Sequence, residues 1–284
     1  MARIAIVTDS TADLPTSMYR ERDIVVVPLT VHFGEETYTD QVDLTSKQFF
    51  EKLQKSPIMP RTSQPSPADF IAVYERLLGS YDHIFSLHIS SKLSGTYQSA
   101  KIAAETLKSP AIEVVDTMTV SLCTGLVTLA AADARDVHND PEEVRRAVRH
   151  VMDTFGLLFT VGTLLYLEKN GRIGKAAALL GGLLSIRPIL SMSEGELTAV
   201  ERVRGQGRVL PRVLEIMESR VDRSHPVDVA VLHAVDPQRG EEWMEAVRER
   251  FTCRRIFLTE CGPVVGTHSG PGALAVGWYP SIHQ

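Results

Sequence analysis

The sequence predicts an α/β protein of two domains: an N-terminal doubly wound, mostly parallel sheet over residues 1–155 and a C-terminal mixed α+β domain over residues 156–284. Three observations carry that prediction. The chain has 284 residues, about twice the ~150 of an average domain. Short apolar runs alternate with amphipathic stretches through the first half, as in βαβ units. Near Gly156 that rhythm gives way to hairpins and irregularly spaced helices.

Ile4-Ala5-Ile6-Val7 is a continuous apolar run, expected of a strand buried on both faces. The turn after it, Thr8 to Asp13, has S-x-x-D capping spacing at Ser10 and Asp13, with Pro15 suited to a first helical turn. Ile24 to Leu29 is a second strand, and Val31–Phe33 with Thr37–Thr39 a small hairpin across Gly34. Thr45 and Gln48 cap a helix through Phe49, Phe50 and Leu53. Pro57 to Pro67 reads as a loop, after which Ser66 and Pro67 open a helix with Phe70, Tyr74 and Leu77 on one face. Strands follow at Ile84–Ile89 and Ile112–Val115, with a helix Gly95–Leu107 between them and two more helices after them, the second capped by Asp140-Pro141.

In the second half Leu157–Val161 is a strand, and Lys169-Asn170-Gly171 ends a short helix. Ala176 to Leu184 is apolar nearly all round, which predicts a helix buried on most sides, with Gly181-Gly182 leaving room beside it. Ile189–Met192 and Leu197–Val203 form a hairpin around Ser193-Glu194-Gly195. Helices at Val209–Val221 and Glu241–Phe251 alternate with strands at Val227–Val235 and Ile256–Thr259. A Gly/Pro-rich loop, Gly262 to Gly272, precedes a last strand at Ala273–Trp278, whose packing partner the pattern leaves open.

Composition removes several classes. A net charge of -5 with both signs dispersed argues against a nucleic-acid binder. Cys123, Cys253 and Cys261 form no paired framework and fit a reducing compartment. Ile4–Val7 is too short for a secretory leader, and Ala176–Ile186 is too short to span a bilayer, so a cytoplasmic protein without membrane insertion is expected. No glycine fingerprint follows the first strand, and there is no G-x-x-x-x-G-K-[ST] and no G-x-S-x-G elbow. His83 and His88, five apart on a strand, face opposite sides and cannot share a metal. No metal and no cofactor is expected.

The chemistry concentrates in three polar loops: Arg61–Ser66, Ser90–Thr96 and Gly266–Gly272. The first two are rich in hydroxyls and lie just ahead of helices, whose N-termini offer unpaired N–H donors and a partial positive charge. Hydroxyls add donors without fixed charge, which suits a singly charged carboxylate better than a triphosphate. Ser and Thr there also serve as simple N-caps in many proteins. His268, flanked by Gly266 and Gly270, is placed to donate to such a carboxylate. Two rival readings use the same residues: an esterase or acyltransferase with Ser94 as nucleophile and His268 as base, or a sensor of a small non-lipid carboxylate.

The set Ile4–Leu14, Thr62-Ser63-Gln64-Pro65-Ser66 and Ser90–Ala100 resembles the DegV family of bacterial fatty-acid-binding proteins. Tyr166–Ile173, Ser185–Leu190 and Gly266–Gly272 extend the match in order along nearly the whole chain. The resemblance implies a long-chain fatty acid buried between the two domains. Thr62 and Ser94 would bond its carboxylate, the N–H of Gly95 would assist, and His268 would approach from the second domain. Ser63, Thr96 and Thr267 would stand nearby. It also implies a non-catalytic role, with a separate ATP-dependent kinase subunit converting the bound acid to an acyl phosphate. Arg204 and Arg208 would dock that partner, although Arg204-Gly205-Gln206-Gly207-Arg208 is less continuously basic than the family pattern.

Overall fold

In a computed structural model, residues 2–179 and 186–281 are described. A parallel four-stranded sheet of order β2-β1-β6-β7 is built from β1 (Ile4–Asp9), β2 (Ile24–Val27), β6 (His83–His88) and β7 (Ile112–Asp116). Alternate residues of β1 face opposite ways, as strand geometry requires. Ala5 and Val7 pack with Phe70, Tyr74, Ala100 and Ala103 of α3 (Pro67–Leu78) and α4 (Thr96–Leu107). Ile4 and Ile6 belong to the core shared with α5 (Leu122–His138) and α6 (Pro141–Thr154). The sheet is therefore covered on both faces. From β1 the chain leaves through α1 (Thr16–Glu21) to β2 on one side; from β6 it leaves through α4 to β7 on the other. The gap between β1 and β6 is a topological switch point, where open α/β sheets bind ligands.

A small antiparallel sheet, β4-β3-β5, joins β3 (Thr30–Phe33), β4 (Glu36–Thr39) and β5 (Arg61–Ser63). The third of these lies inside the stretch expected to be loop. Three residues bounded by prolines carry no readable period, and pairing with β3, Val31 opposite Thr62, makes them a strand. The helix α2 (Ser46–Lys55) has the expected Thr45–Gln48 capping box, and α3 has one between Ser66 and Asp69. The Ser10–Asp13 box does not form. Asp9 takes the capping role for a 3-10 turn at Ser10–Ala12, Ser10 Oγ accepts from the Leu29 amide, and Asp13 is left-handed with φ 48°.

The second half forms a six-stranded sheet of order β10-β9-β8-β13-β11-β12. Its strands are β8 (Gly156–Thr160), β9 (Ile186–Ser193), β10 (Glu196–Arg204), β11 (Val227–His233), β12 (Cys253–Glu260) and β13 (Leu274–Pro280). Within it β11 and β12 run parallel, and β13, the strand without a predicted partner, lies antiparallel between β8 and β11. Helices α8 (Val209–Glu218) and α9 (Pro237–Arg250) cover one face with Val213, Ile216, Trp243 and Val247. The other face, including Leu157, Leu232, Ala273 and Ala275, shares its core with α5.

That makes α5 the helix buried all round, with Leu122 to Ala134 all buried. Its one glycine and its alanines and threonines are small enough to let both sheets approach. A Cβ on Gly125 would lie 2.5 Å from the Ala12 carbonyl oxygen. The sequence had placed this role at Ala176–Leu184. Residues 180–184, with Gly181-Gly182, lie outside the described residues, and the described part, Gly174–Leu179, is a 3-10 turn in which only Ala176 is buried. At the far end of α5, Asp133 receives Arg22, Arg254 and Arg255, tying the first half to β12. No helix among the described residues is long and apolar enough to cross a membrane.

Candidate functional site

The residues Gly262–Gly272, expected to be loop, begin with a short helix, α10 (Pro263–Ser269). Among their glycines, Gly266 serves close approach. A Cβ on Gly266 would sit 2.8 Å from the rings of both Phe49 and Phe50, so Gly266 lets α10 lie directly on α2. This docking brings His268 to β5, where His268 Nε2 lies 2.9 Å from Thr62 Oγ1.

Thr62, Ser63, Ser94 and His268 line one cavity of about 430 Å³. Its walls come from the loops after β1 (Thr11), β6 (Leu93, Ser94) and β7 (Val120, Ser121), beside the switch point. The second half contributes Leu157, Phe159, Leu232, Leu274 and Ala275 from its sheet. Most of the lining is aliphatic; Thr62, Ser63, Gln64, Ser94, Arg172 and His268 are polar, as are Thr11, Ser121 and Ser269.

Gly95, Thr96 and Thr267 are not among the lining residues. Thr96 is fully buried; its Oγ1 lies 2.8 Å from Ser94 Oγ, and its amide donates to the same oxygen at 3.3 Å. It orients Ser94. Thr267 donates its hydroxyl to the Pro263 carbonyl, which turns it away from the cavity. Gly95 precedes α4 and leaves room for the Gln64 carboxamide, since a Cβ there would lie 2.3 Å from Gln64 Oε1. Ser63 Oγ is engaged by His32 Nε2 at 2.9 Å.

Arg172 and Gln64 are lining residues to which the sequence assigned no role, although both fall inside stretches that carried the resemblance. Arg172 follows α7 (Leu165–Lys169) and Gly171, whose positive φ of 69° turns the chain back. From there Nε donates to the Leu93 carbonyl at 3.3 Å, across to the loop that bears Ser94. Burial, and then the Arg172 charge, push the His268 pKa down to about 4, so the imidazole is neutral near pH 7. A neutral ring has one N–H and Thr62 one O–H. One of these two hydrogens is spent in the bond between them, leaving a single donor for a ligand. His268 Nδ1 is buried without a partner.

Ser94 and His268 do not pair as nucleophile and base: Ser94 Oγ is bonded to Thr96 and His268 Nε2 to Thr62. An esterase needs those two groups on each other. His88 is buried against Asp9, with Nδ1 3.0 Å from Oδ2, and among the described residues no His/Cys/Asp/Glu group could hold a metal ion. Burial raises the Cys123 thiol to about 12 and Cys261 well above its ordinary range, so neither is a ready thiolate. Arg204 and Arg208 are exposed, and among the described residues neither forms an ion pair. Arg208 belongs to a 3-10 turn ahead of α8, and Arg212, four residues on, is taken by Glu201 and Glu215.

Residues 3–281 match the family model described as "uncharacterised protein, DegV family". A DegV domain-containing protein of Deinococcus radiodurans is 40% identical over 280 residues, covering 98% of each chain. Among solved structures, a DegV family protein from Thermus thermophilus, described for its fatty acid binding, superposes with a TM-score of 0.94 at 34% identity, over 98% of this chain and 100% of that one. DegV of Bacillus subtilis, described as a fatty acid binding protein, gives 0.91 at 32% identity, over 99% and 100%. The chain belongs to the DegV family.

Proposed function

We propose that this protein binds a long-chain fatty acid in the cavity and presents its carboxylate to a separate ATP-dependent kinase subunit in the cytoplasm, without catalysing a reaction itself. The observation that carries the reading is the shape of the lining. Uncharged donors and one cation, Arg172, stand among walls that are otherwise mostly aliphatic. The Thr62–His268 pair and Ser94 hold the carboxylate in this reading, with the Gly95 amide at the start of α4 adding a donor. The hydrocarbon lies along Leu157, Phe159, Leu232 and Ala275. Each methylene taken from water contributes ~0.8 kcal/mol. The relatives described as fatty acid binding support the ligand class. The kinase subunit is proposed from the family resemblance, with exposed Arg204 and Arg208 as its docking charges.

Denaturing the purified protein and extracting it for mass spectrometry tests the ligand. A stoichiometric C14–C18 acid is expected. Absence of any lipid, together with no binding of added palmitate or stearate, would overturn the reading.

A further inference from the structure

Behind the cavity wall lies a pair of acids with no part in the proposed ligand chemistry. Asp13 and Asp40 are 4% and 1% exposed. Asp13 Oδ2 accepts from the Ser121 hydroxyl at 2.5 Å, and Oδ1 from the Gly262 amide at 3.0 Å. Its carbonyl accepts from Thr259 Oγ1. One residue of the loop after β1 thus joins the start of α5, the end of β12 and the N-cap of α10. Asp40 follows β4, and its carboxyl oxygens make no hydrogen bond of normal geometry. The two carboxyls converge on Gly262: a Cβ there would lie 2.7 Å from Asp13 Oδ1 and 3.8 Å from Asp40 Oδ1. Among the described residues neither has an ion-pair partner.

Two buried carboxyls that both face Gly262, with no cation beside them, oppose each other's ionisation and titrate as a pair. The proton belongs to the pair and not to one member. Burial pushes Asp40 up to about 7, Asp9 adding to the shift while Ser10 and the Val264 amide oppose it. Burial raises Asp13 too, with Ser121 and Gly262 opposing and Asp40 and Asp9 adding. The other titratable groups facing the pair are Tyr19 of α1 and Cys261 after β12. Neither supplies a positive charge.

We propose that Asp13 and Asp40 are positioning residues that share one proton and latch α10 to the loop after β1, so that the seat of His268 in the cavity follows that proton. Loss of the proton sets two negative charges together beside Asp9 and loosens the latch. A carboxyl whose folded pKa is raised favours the closed form at low pH; that advantage shrinks as pH rises and is gone above about 7. His268 stays neutral across this window, so it is not the source. The effect on affinity rests on the fatty-acid reading; the latch itself is a property of the lipid-free chain.

Hydrogen exchange of the 263–270 amides in lipid-free protein, from pH 5.5 to 8.5 and corrected for intrinsic exchange, tests it. The opening constant should climb by up to about tenfold per pH unit for each proton retained, then level off above ~7. Asp40→Asn should lower that slope by one decade per unit. Ser121→Ala, which removes a donor to the Asp13 charge, should move the levelling to higher pH and decides the matter if Asp40→Asn does not fold. A flat wild-type profile, or an unchanged slope in Asp40→Asn, overturns the proposal. Palmitate affinity should fall over the same pH window in the wild type and change less in Asp40→Asn. Failure to bind palmitate at any pH would refute the ligand reading while leaving the exchange profile to judge the latch.

Discussion

Because Thr62 and His268 share one hydrogen bond and have one donor left over, they should behave as a unit toward a carboxylate. Removing the Thr62 hydroxyl strips the imidazole of its 2.9 Å partner, and Nδ1 is already unpaired, so both ring nitrogens become orphans in a buried site. A hydrogen bond to a charged acceptor contributes roughly 1.5–3 kcal/mol, so Thr62→Ala should weaken fatty-acid affinity by about 10- to 150-fold. His268→Ala should cost a similar amount, since it leaves Thr62 free to rotate out of place. If each truncation disables the same donor, the double mutant should bind about as weakly as either single one. The coupling energy would then be of order 1–3 kcal/mol. Displacement of a fluorescent fatty acid by palmitate measures all four corners of the cycle, with melting curves as the control for folding. Strictly additive losses would refute the shared-donor argument, because they would mean that the two residues contact the ligand independently.

Three further outcomes are expected. Ala275, buried in β13 opposite Phe159, lines the cavity, and Ala275→Leu adds three carbons there. It should shift preference from C18 toward C12 acids by up to about 2.4 kcal/mol, and an unchanged chain-length series would place the tail elsewhere. In lipid-free protein the His268 ring should stay neutral from pH 8 down to 5 by NMR. Its folded pKa lies below the ordinary 6.5, so the stability tied to the neutral ring is present above pH 6.5 and lost as pH falls toward 4. A midpoint near 6.5 would contradict that, and a bound carboxylate should raise the pKa. Arg204→Ala should leave palmitate affinity intact while lowering acyl-phosphate formation in a reconstituted kinase assay; full phosphorylation would remove its docking role.

Elements with a strong local period were legible in the sequence. Buried strands such as Ile4–Val7 and capped helices such as the one opened by Ser66-Pro67 are written in consecutive residues. What escaped was set by distant packing. Gly266 of α10 read as loop because its reason, the rings of Phe49 and Phe50, lies more than 200 positions away. The all-round burial of α5 was not legible because its alanines and threonines look ordinary until two sheets close on them. Thr62, Ser94 and His268 were singled out one loop at a time, but their meeting at one cavity depends on α10 docking against β5. Arg172 carried no local mark of a site residue: a cation after a helix C-terminus usually just complements the helix dipole.

The balance of energies in the cavity bears on which ligand it suits. In the proposed reading, the Thr62–His268 donor and Ser94 together would contribute roughly 3–6 kcal/mol at the head, before the carboxylate's own desolvation is subtracted. Association costs an estimated 4–15 kcal/mol in lost freedom alone. A small carboxylate, having only the head to offer, would bind weakly here, which disfavours the sensor reading. A chain that buries ten methylenes adds ~8 kcal/mol and turns the balance. Affinity therefore belongs to the tail and orientation to the head. That division would suit the proposed carrier: an acid held mainly through its hydrocarbon could have its carboxylate engaged by a second protein without first giving up most of the binding energy.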